Sequence, residues 1–211
     1  MGSATQMLKP AEAAVVACVT LRDVNRVIDE RILPDGFFSL GDNRSVIATA
    51  CALIAFYFES AKQLTADYRL FAIQKTASRL KQLRGRSLAS LVEEDWTVRD
   101  KFLTIDLAPF VRRTKDRLER LAEACTMVTS DPEILGGIPI VCGTRVPVHD
   151  VAACVAAGTP FNDILRHYPS LRADQIELAA IYAQAHPPRG RPRMVDFLPR
   201  ESVLISRRYI P

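Results

Sequence analysis

Residues 130–186 have the sequence SDPEILGGIPIVCGTRVPVHDVAACVAAGTPFNDILRHYPSLRADQIELAAIYAQAH, and this stretch decides the C-terminal fold. Its first part favours turns and extended structure. Asp131 precedes a proline, which disfavours helix at that residue, and two glycines at 136–137 allow a turn. The β-branched run 138–141 predicts a short strand, and residues 146–148 are predicted to be extended after a second turn.

The apolar residues adopt a helical period from His149 onward. Val151, Cys154 and Val155 share one face of a first helix, which Gly158 would end as the glycine that follows a C-cap. The sequence therefore predicts a helix that follows the extended segment 146–148.

Two further helices complete the unit. Thr159 is a predicted N-cap followed by a proline at the first helical position, and Tyr168-Pro169 ends this second helix. The third helix ends before the prolines at 187–188, and its predicted apolar positions are Leu171, Ile176, Ala179, Ala180 and Ala183. Helices joined by tight turns predict a helix-turn-helix unit.

Three motifs in this stretch carry a resemblance to a known family. They are DPEILGG at 131–137, GTRVPV at 143–148, and Ile164-Leu165 followed by Tyr168-Pro169. Together they resemble the bacterial family called domain-of-unknown-function 433. The resemblance implies an antitoxin of VapB type, which binds operator DNA and neutralises a PIN-domain ribonuclease encoded beside it. The longer architecture, with an N-terminal helix-turn-helix and a basic tail, is similar to that of actinobacterial VapB-like antitoxins.

Composition and cysteine usage fit an ordinary globular protein. The chain has 211 residues, 48% hydrophobic and 25% charged, which is typical of one or two domains. The longest apolar run, 46–58, is too short to span a bilayer, and no export signal is recognisable at the N-terminus. Five cysteines without a CxxC pair predict reduced, packed thiols and a cytoplasmic location.

Residues 10–45 predict a second helix-turn-helix. Pro10 starts a helix over 11–19, and Thr20 is the predicted N-cap of the next helix, with Asp23 completing a capping box. The predicted buried stripe of that helix is Leu21, Val24, Ile28 and Ile32. A turn and a strand at 37–40, returning through 41–43, resemble the start of a MerR-type winged helix.

The helix over 20–33 is the candidate recognition helix. Arg22, Asn25 and Arg26 are residue types that bind base edges, and Arg44 would contact phosphate from the wing. The alternative is a core helix whose charges are only solvated, since Asp23, Asp29 and Glu30 lie on the same helix.

Residues 45–92 are predicted to be wholly helical, with a buried helix over 46–60 and an amphipathic one over 67–83. From Arg69 to Arg86 there are basic residues and no acid. Such a run is either a solvated face or a patch that contacts phosphates. The candidate DNA-binding residues in it are Lys75, Arg79, Lys81, Arg84 and Arg86.

Residues 93–129 predict a β-hairpin, a long helix and a strand. Alternation around Asp100-Lys101 predicts the hairpin. The helix over 106–124 has apolar positions spaced as in a coiled coil: 107, 111, 114, 118, 121 and 125. This seam would cover the chain's own sheet or, alternatively, form a dimer. The strand at 126–129 would pair with the hairpin or with 138–141.

The tail, 187–211, holds six arginines against two acids and therefore the whole net charge of +4. Its prolines and glycine disfavour regular structure, so we expect an extended arm that becomes ordered when it binds a partner. The VapB resemblance implies that an arginine enters the carboxylate cluster of the ribonuclease while apolar residues fill a groove beside it. The candidate toxin-binding residues are Arg189, Arg191, Arg193, Phe197 and Leu198. Alternatives are a DNA-binding arm and a solubilising tail.

Nothing in the sequence predicts an enzyme, a cofactor or a metal. His149, His167 and His186 have no metal-ligand spacing with a cysteine or carboxylate pair, and no GxSxG, HExxH or P-loop motif occurs.

The predicted fold is mainly α within the α+β class. It has a winged-helix-like region with a helical linker at 8–92, a hairpin and long helix at 93–129, a trihelical domain with short strands at 130–186, and the tail. The predicted function is that of an antitoxin with a PIN-domain ribonuclease and operator DNA as partners, acting as a homodimer and without a membrane. Alternatives are a DNA-binding regulator without a toxin and a protein-assembly module.

Overall fold

The structure is a computed structural model that describes residues 5–41, 43–83 and 85–188. In chain order its strands and helices are β1 (Met7–Leu8), α1 (Pro10–Ala17), α2 (Leu21–Asp29), β2 (Phe38–Ser39), β3 (Ser45–Ile47), α3 (Ala50–Glu59), α4 (Ala66–Gln82), α5 (Leu88–Val92), β4 (Thr97–Asp100), β5 (Leu103–Asp106), α6 (Ala108–Thr126), β6 (Val128–Thr129), β7 (Ile140–Val141), α7 (Val148–Ala156), α8 (Phe161–His167) and α9 (Ala173–Ala185). Short 3-10 helices span Ser60–Lys62 and Leu135–Gly137. The predicted fold class, mainly α with short strands, is confirmed.

A small antiparallel sheet follows the first two helices. Its strand order is β1-β3-β2, and Val46 at its centre pairs with Leu8 on one side and Phe38 on the other. The predicted strand at 37–40 is confirmed as the shorter β2, which pairs with β3, while the predicted return over 41–43 includes Asp42, which lies outside the described residues. The prediction that 45–92 is wholly helical is wrong at its start, because β3 occupies 45–47 and the buried helix begins only at Ala50. A short apolar run does not distinguish a buried strand from a buried helix.

Two other local predictions need correction. In the β4–β5 hairpin Asp100 pairs with Leu103, so the connection is Lys101-Phe102 rather than Asp100-Lys101. A two-residue turn needs positive φ, which Lys101 supplies at +39°. In α2 the predicted inward residue Leu21 is 45% exposed, and Val27 is buried instead.

The seam of α6 packs inside its own chain. The buried residues of the seam are Leu107, Val111 and Thr114 at the start of the helix and Leu118 and Leu121 further along it. The helix contacts α1, α3 and α9. The alternative prediction, that this seam forms a dimer, is therefore wrong, because the chain's own helices already cover this face. The predicted last seam position is also wrong.

That last position is residue 124 rather than 125. Ala124 is buried and Cys125 is exposed, because the final turn of α6 faces a second core with neighbours in a different direction.

The C-terminal unit has the predicted strand and three helices. β6 pairs with β7, with Val128 opposite Val141. Of the two predicted partners for this strand, the segment 138–141 is thus confirmed. Gly158 follows α7 with φ +75°. The predicted N-cap Thr159 is wrong by one residue, because the carbonyl of Pro160 accepts the first helical hydrogen bonds of α8.

Two hydrophobic cores meet along α6 and α9. The first extends from Leu8 to Leu121 and includes Trp96 and, from α9, Ala185. The second contains Ala124 of α6, the inner residues of α7 and α8, and most of the buried face of α9. No helix in the described ranges combines the length and apolar character that crossing a bilayer requires.

Candidate nucleic-acid interface

The predicted base-binding residues lie on one short, well-capped helix. Thr20 Oγ1 accepts a hydrogen bond from the Asp23 backbone N–H at 3.1 Å, and Asp23 Oδ2 accepts one from the Thr20 backbone N–H at 3.1 Å. This is the predicted capping box, which satisfies two N–H groups at the start of α2. Arg22 and Arg26 are exposed and Asn25 is half-buried. Their spacing places the three side chains on neighbouring positions of the helix surface.

The wing arginine lies beside the end of this helix. Arg44, in the connection between β2 and β3, has Nη1 2.9 Å from Asp29 Oδ1, at the last residue of α2. Arg26 Nε donates to Glu30 Oε1 at 2.9 Å, and this hydrogen bond raises the pKa of Arg26. Arg22 has no ion-pair partner among the described residues. The surface formed by Arg22, Asn25, Arg26 and Arg44 is called the α2–wing surface below.

The basic run of α4 does not form one patch. Positions 79 and 81 lie about 200° apart around a helix axis. Lys81 faces the wing sheet, with Nζ 5.6 Å from the ring centroid of Phe37. Arg79 and Arg86 are bound instead by one carboxylate, that of Glu94, at 3.2 and 2.6 Å. Only Lys81 among these is therefore placed beside the wing.

The other side of α4 borders a cleft of about 290 Å³ at β4. Lys75, Arg79 and Arg99 line it together with one acid, Asp95. Hydrogen bonds from Thr97 lower the pKa of Asp95, so this carboxylate is ionised at neutral pH. The excess of cations makes the cleft suitable for an anion such as a phosphate.

Several predicted contact residues lie outside the described residues. They are Arg84 and the tail residues Arg189, Arg191, Arg193, Phe197 and Leu198. The point where the tail begins is described. Pro187 lines a largely apolar groove of about 450 Å³ together with Ala14 of α1 and Leu21 of α2. The tail therefore starts beside the N-terminal helix-turn-helix.

The structure also brings together three side chains that the sequence did not connect. Cys125 Sγ, in the last turn of α6, lies 3.4 Å from Nε2 of His186, which caps α9. The Nδ1 atom of that imidazole lies 3.8 Å from Oε1 of Glu12 in α1. These residues come from three distant parts of the chain, so no local motif could reveal them. Within the described ranges no three His, Cys, Asp or Glu side chains form a metal-binding group.

The cysteines are distributed differently from the prediction of packed thiols. All five are free, but only Cys51 and Cys154 are buried. Cys18, Cys125 and Cys142 are exposed, because they lie at helix ends or in a turn rather than on the inward faces.

Comparison with known proteins identifies the family. Residues 128–183 match the family model described as "Protein of unknown function (DUF433)". The uncharacterized protein y4eO of Sinorhizobium fredii (strain NBRC 101917 / NGR234) is 56% identical over 210 residues, which cover 100% of this chain and 95% of that protein. The chain belongs to the same family as y4eO and contains a DUF433 segment at 128–183.

A solved structure shows a weaker similarity. The crystal structure of Rv2018 from Mycobacterium tuberculosis is 16% identical, and the match covers 85% of this chain and 98% of that one, with a TM-score of 0.29. This similarity is too low to establish a shared fold.

The DUF433 segment has an acidic surface whose charges are partly paired. Arg120 of α6 binds Glu177 of α9 at 2.8 Å and so joins this segment to the rest of the protein. Arg172 binds Asp174 at 2.9 Å, and its hydrogen bond lowers the pKa of that carboxyl. Acidic residues outnumber basic ones over 131–186, so this surface does not attract phosphates.

Proposed function

We propose that this DUF433 protein is an antitoxin that binds operator DNA through the α2–wing surface and neutralises an adjacent PIN-domain ribonuclease through its basic tail. The observation that carries the DNA part is the placement of Arg22, Asn25 and Arg26 on one helix, with Arg44 beside its end. The toxin part is supported by the resemblance of the DUF433 motifs to VapB-type antitoxins. The proposed role is one of binding rather than catalysis, without a cofactor, in the cytoplasm.

The chemistry of the α2–wing surface suits a DNA groove. Guanidinium groups donate to guanine acceptors, and an asparagine amide pairs with adenine. The ion pairs of Arg26 and Arg44 do not prevent this role, because all four partner side chains are about half exposed. Such surface pairs contribute only about 0–1 kcal/mol. Base acceptors or phosphates would therefore replace Asp29 and Glu30 at little cost.

Basic residues outside α2 would add contacts with the DNA backbone. Lys81 lies beside the β1-β3-β2 sheet, next to Phe37. Its ammonium would therefore contact a phosphate of DNA bound to the α2–wing surface. Lys75 and Arg79 lie further around α4 and Arg86 follows this helix, so these three would contact phosphate only on a bent or longer site. Two copies of the chain would bind the two halves of a pseudo-palindromic operator.

The start of the tail suggests how toxin and DNA binding would influence each other. Pro187 lies in the groove formed by α1 and α2, so a toxin held by the tail would approach the α2–wing surface. The proposed tail contact is an arginine, from positions 189, 191 or 193, bound to the carboxylates of the ribonuclease, with Phe197 and Leu198 in an apolar groove beside it. Any effect of toxin on DNA affinity must be matched by an equal effect of DNA on toxin affinity.

Substitutions on α2 test the DNA part. Binding of the full chain to a duplex from upstream of its own gene is measured by fluorescence anisotropy at several salt concentrations. Arg22→Ala or Asn25→Ala should each weaken specific binding by about 1–3 kcal/mol if each makes a base contact. Arg166→Ala is the matched control, because Arg166 is a 77% exposed arginine in the DUF433 segment. Equal losses for Arg22→Ala and Arg166→Ala would refute DNA recognition by α2.

Co-expression with the adjacent reading frame tests the toxin part. The intact chain is compared with a chain that ends at His186. The proposal requires that the intact chain co-purifies with the neighbour and suppresses its ribonuclease activity, while the shortened chain does neither. If neither chain binds the neighbour and the shortened one loses affinity for upstream DNA, the tail is a DNA-binding arm. The position of Pro187 next to the helix-turn-helix favours this second candidate function, a regulator without a toxin.

A further inference from the structure

The cluster of Cys125, His186 and Glu12 has the arrangement of an activated thiol. The two imidazole nitrogens face different partners: Nε2 lies 3.4 Å from the Cys125 sulfur, and Nδ1 lies 3.8 Å from the Glu12 carboxylate. The first distance allows a proton to pass between sulfur and nitrogen, and the second is an ion-pair distance. Cys125 is an exposed residue whose thiol is partly buried, so a small reagent can approach it from solvent.

The three side chains are held in place by other contacts. Glu12 Oε2 accepts a hydrogen bond from the Lys9 backbone N–H at 2.7 Å, as part of the capping box of α1. The His186 backbone N–H donates to the Tyr182 carbonyl at 2.8 Å, and the two rings lie 4.6 Å apart. A fixed base and a fixed carboxylate are what a preorganised thiol site requires.

We propose that Cys125 is a site of reversible oxidation by hydroperoxides, in which His186 acts as the base and Glu12 positions and stabilises the imidazolium. The inference is independent of the antitoxin function. It adds a modification site at the point where α1, α6 and α9 meet and where the tail begins.

The reaction balances with a hydroperoxide as the only co-reactant. The Cys125 thiol transfers its proton to His186 Nε2 while the sulfur attacks the nearer peroxide oxygen. A sulfur–oxygen bond forms, the oxygen–oxygen bond breaks, and the leaving hydroxide takes the proton from the imidazolium. The products from hydrogen peroxide are a sulfenic acid and water, so sulfur loses two electrons and the peroxide gains them.

Electrostatics explain why a base is needed. Burial and the negative charge of Glu12 raise the pKa of Cys125, so the thiol is protonated in the resting protein. Glu12 disfavours the thiolate but favours the imidazolium that forms during attack. Transfer of the proton during the reaction, rather than a permanent thiolate, is therefore the mechanism that fits this geometry.

Other titratable groups near the cluster are Tyr182 of α9 and His149 of α7. Burial, followed by the charge of Cys125, raises the pKa of Tyr182. Burial lowers the pKa of His149, Asp150 raises it, and His186 lowers it further. Both groups are therefore neutral at neutral pH, which leaves His186 as the base nearest the sulfur.

A small reagent fits the site better than a large substrate. Neither the cleft at β4 nor the groove at Pro187 has Cys125 or His186 in its lining. Hydrogen peroxide needs no binding cleft, whereas an acyl substrate would. Oxidation by a small hydroperoxide is therefore a reaction that the exposed position of Cys125 permits.

The chain contains its own controls. Cys18 and Cys142 are exposed as well, and the Cys142 thiol donates to the Thr126 carbonyl at 3.7 Å rather than to an imidazole. The intact chain is treated with hydrogen peroxide, the sulfenic acid is trapped with dimedone, and each site is followed by peptide mass spectrometry. Cys125 should react at least about tenfold faster than Cys142, a modest part of the 10²–10⁴-fold typical of general-base catalysis.

Two variants assign the roles. His186→Gln should bring the Cys125 rate to that of Cys142 and remove the inflection in its pH profile. Glu12→Gln keeps an acceptor for the Lys9 N–H but removes the charge beside the imidazole, so it should slow trapping at Cys125 and leave the rate at Cys142 unchanged. Cys125→Ser should abolish the fast trapping and leave the other two cysteines unchanged.

Either of two results would overturn the inference. The first is an equal rate for Cys125 and Cys142 in the unsubstituted chain, a comparison that requires no variant to fold. The second is a fast Cys125 that keeps its rate and pH profile in a folded His186→Gln variant.

Discussion

Replacing Thr20 with alanine removes the side chain that begins the candidate recognition helix. In the native protein Thr20 Oγ1 accepts from the Asp23 backbone N–H at 3.1 Å and donates to Asp23 Oδ2 at 2.7 Å. Both bonds disappear in Thr20→Ala, while the bond from the Thr20 backbone N–H to Asp23 remains available. The variant therefore tests the side-chain half of the capping box.

The expected loss is about 1 kcal/mol of the free energy of unfolding, the middle of the range for N-cap threonines. Thr20 is exposed, so water can satisfy the freed N–H and the loss should not approach the upper limit. For a chain of 211 residues this corresponds to a fall in Tm of about 2–4 °C.

Urea unfolding followed by circular dichroism measures this difference. Thr20→Ser is the matched control, because it loses the methyl group and keeps the hydroxyl, and it should unfold as the native chain does. Thr20→Val keeps the shape but has no acceptor, so it should resemble Thr20→Ala. If Thr20→Val proved as stable as Thr20→Ser, the hydrogen bonds of the cap would contribute nothing and the reasoning would be refuted.

Two further substitutions test the core and the basic face of α4. Trp96→Phe should lower the free energy of unfolding by about 2–4 kcal/mol, because it leaves a cavity and removes the N–H that donates to the Leu91 carbonyl at 2.6 Å. Unfolding is measured by circular dichroism, because Trp96 is the only tryptophan and its fluorescence is lost in the variant. As a control, Phe102→Ala at a fully exposed position should change the free energy of unfolding by less than about 0.5 kcal/mol. Glu94→Gln frees two arginines and should steepen the slope of log K for DNA against log salt by about 0.9 for each arginine that gains a phosphate. Asp174→Asn frees Arg172 on the DUF433 surface in the same way, and an equal change for each freed arginine in both variants would place the α4 face outside the DNA site.

Local signals were sufficient for most helices. The capping box at Thr20, the glycine at 158 and the proline after Tyr168 are each recognised within four residues, and the structure has helix ends at these points. The strand at 45–47 was missed, because Val46 becomes strand only through pairing with Leu8 and Phe38, two segments far from each other in sequence.

For the candidate DNA surface, the sequence suggested which residue types to examine but not their surroundings. The ion pairs of Arg44 with Asp29 and of Arg79 and Arg86 with Glu94 depend on how loops fold back. The same holds for the division of the α4 cations into two faces. These pairings determine which arginines remain available to a partner.

The sequence by itself determined the helix-turn-helix order, the DUF433 motifs and the concentration of charge in the tail, because each depends on neighbouring residues or on composition alone. Only the tertiary structure decided that α6 covers its own core and that Cys125, His186 and Glu12 meet. Contacts between α1, α6 and α9 join positions far apart in the chain, 61 residues in the case of Cys125 and His186, and no periodicity along the chain records which faces of distant helices pack together.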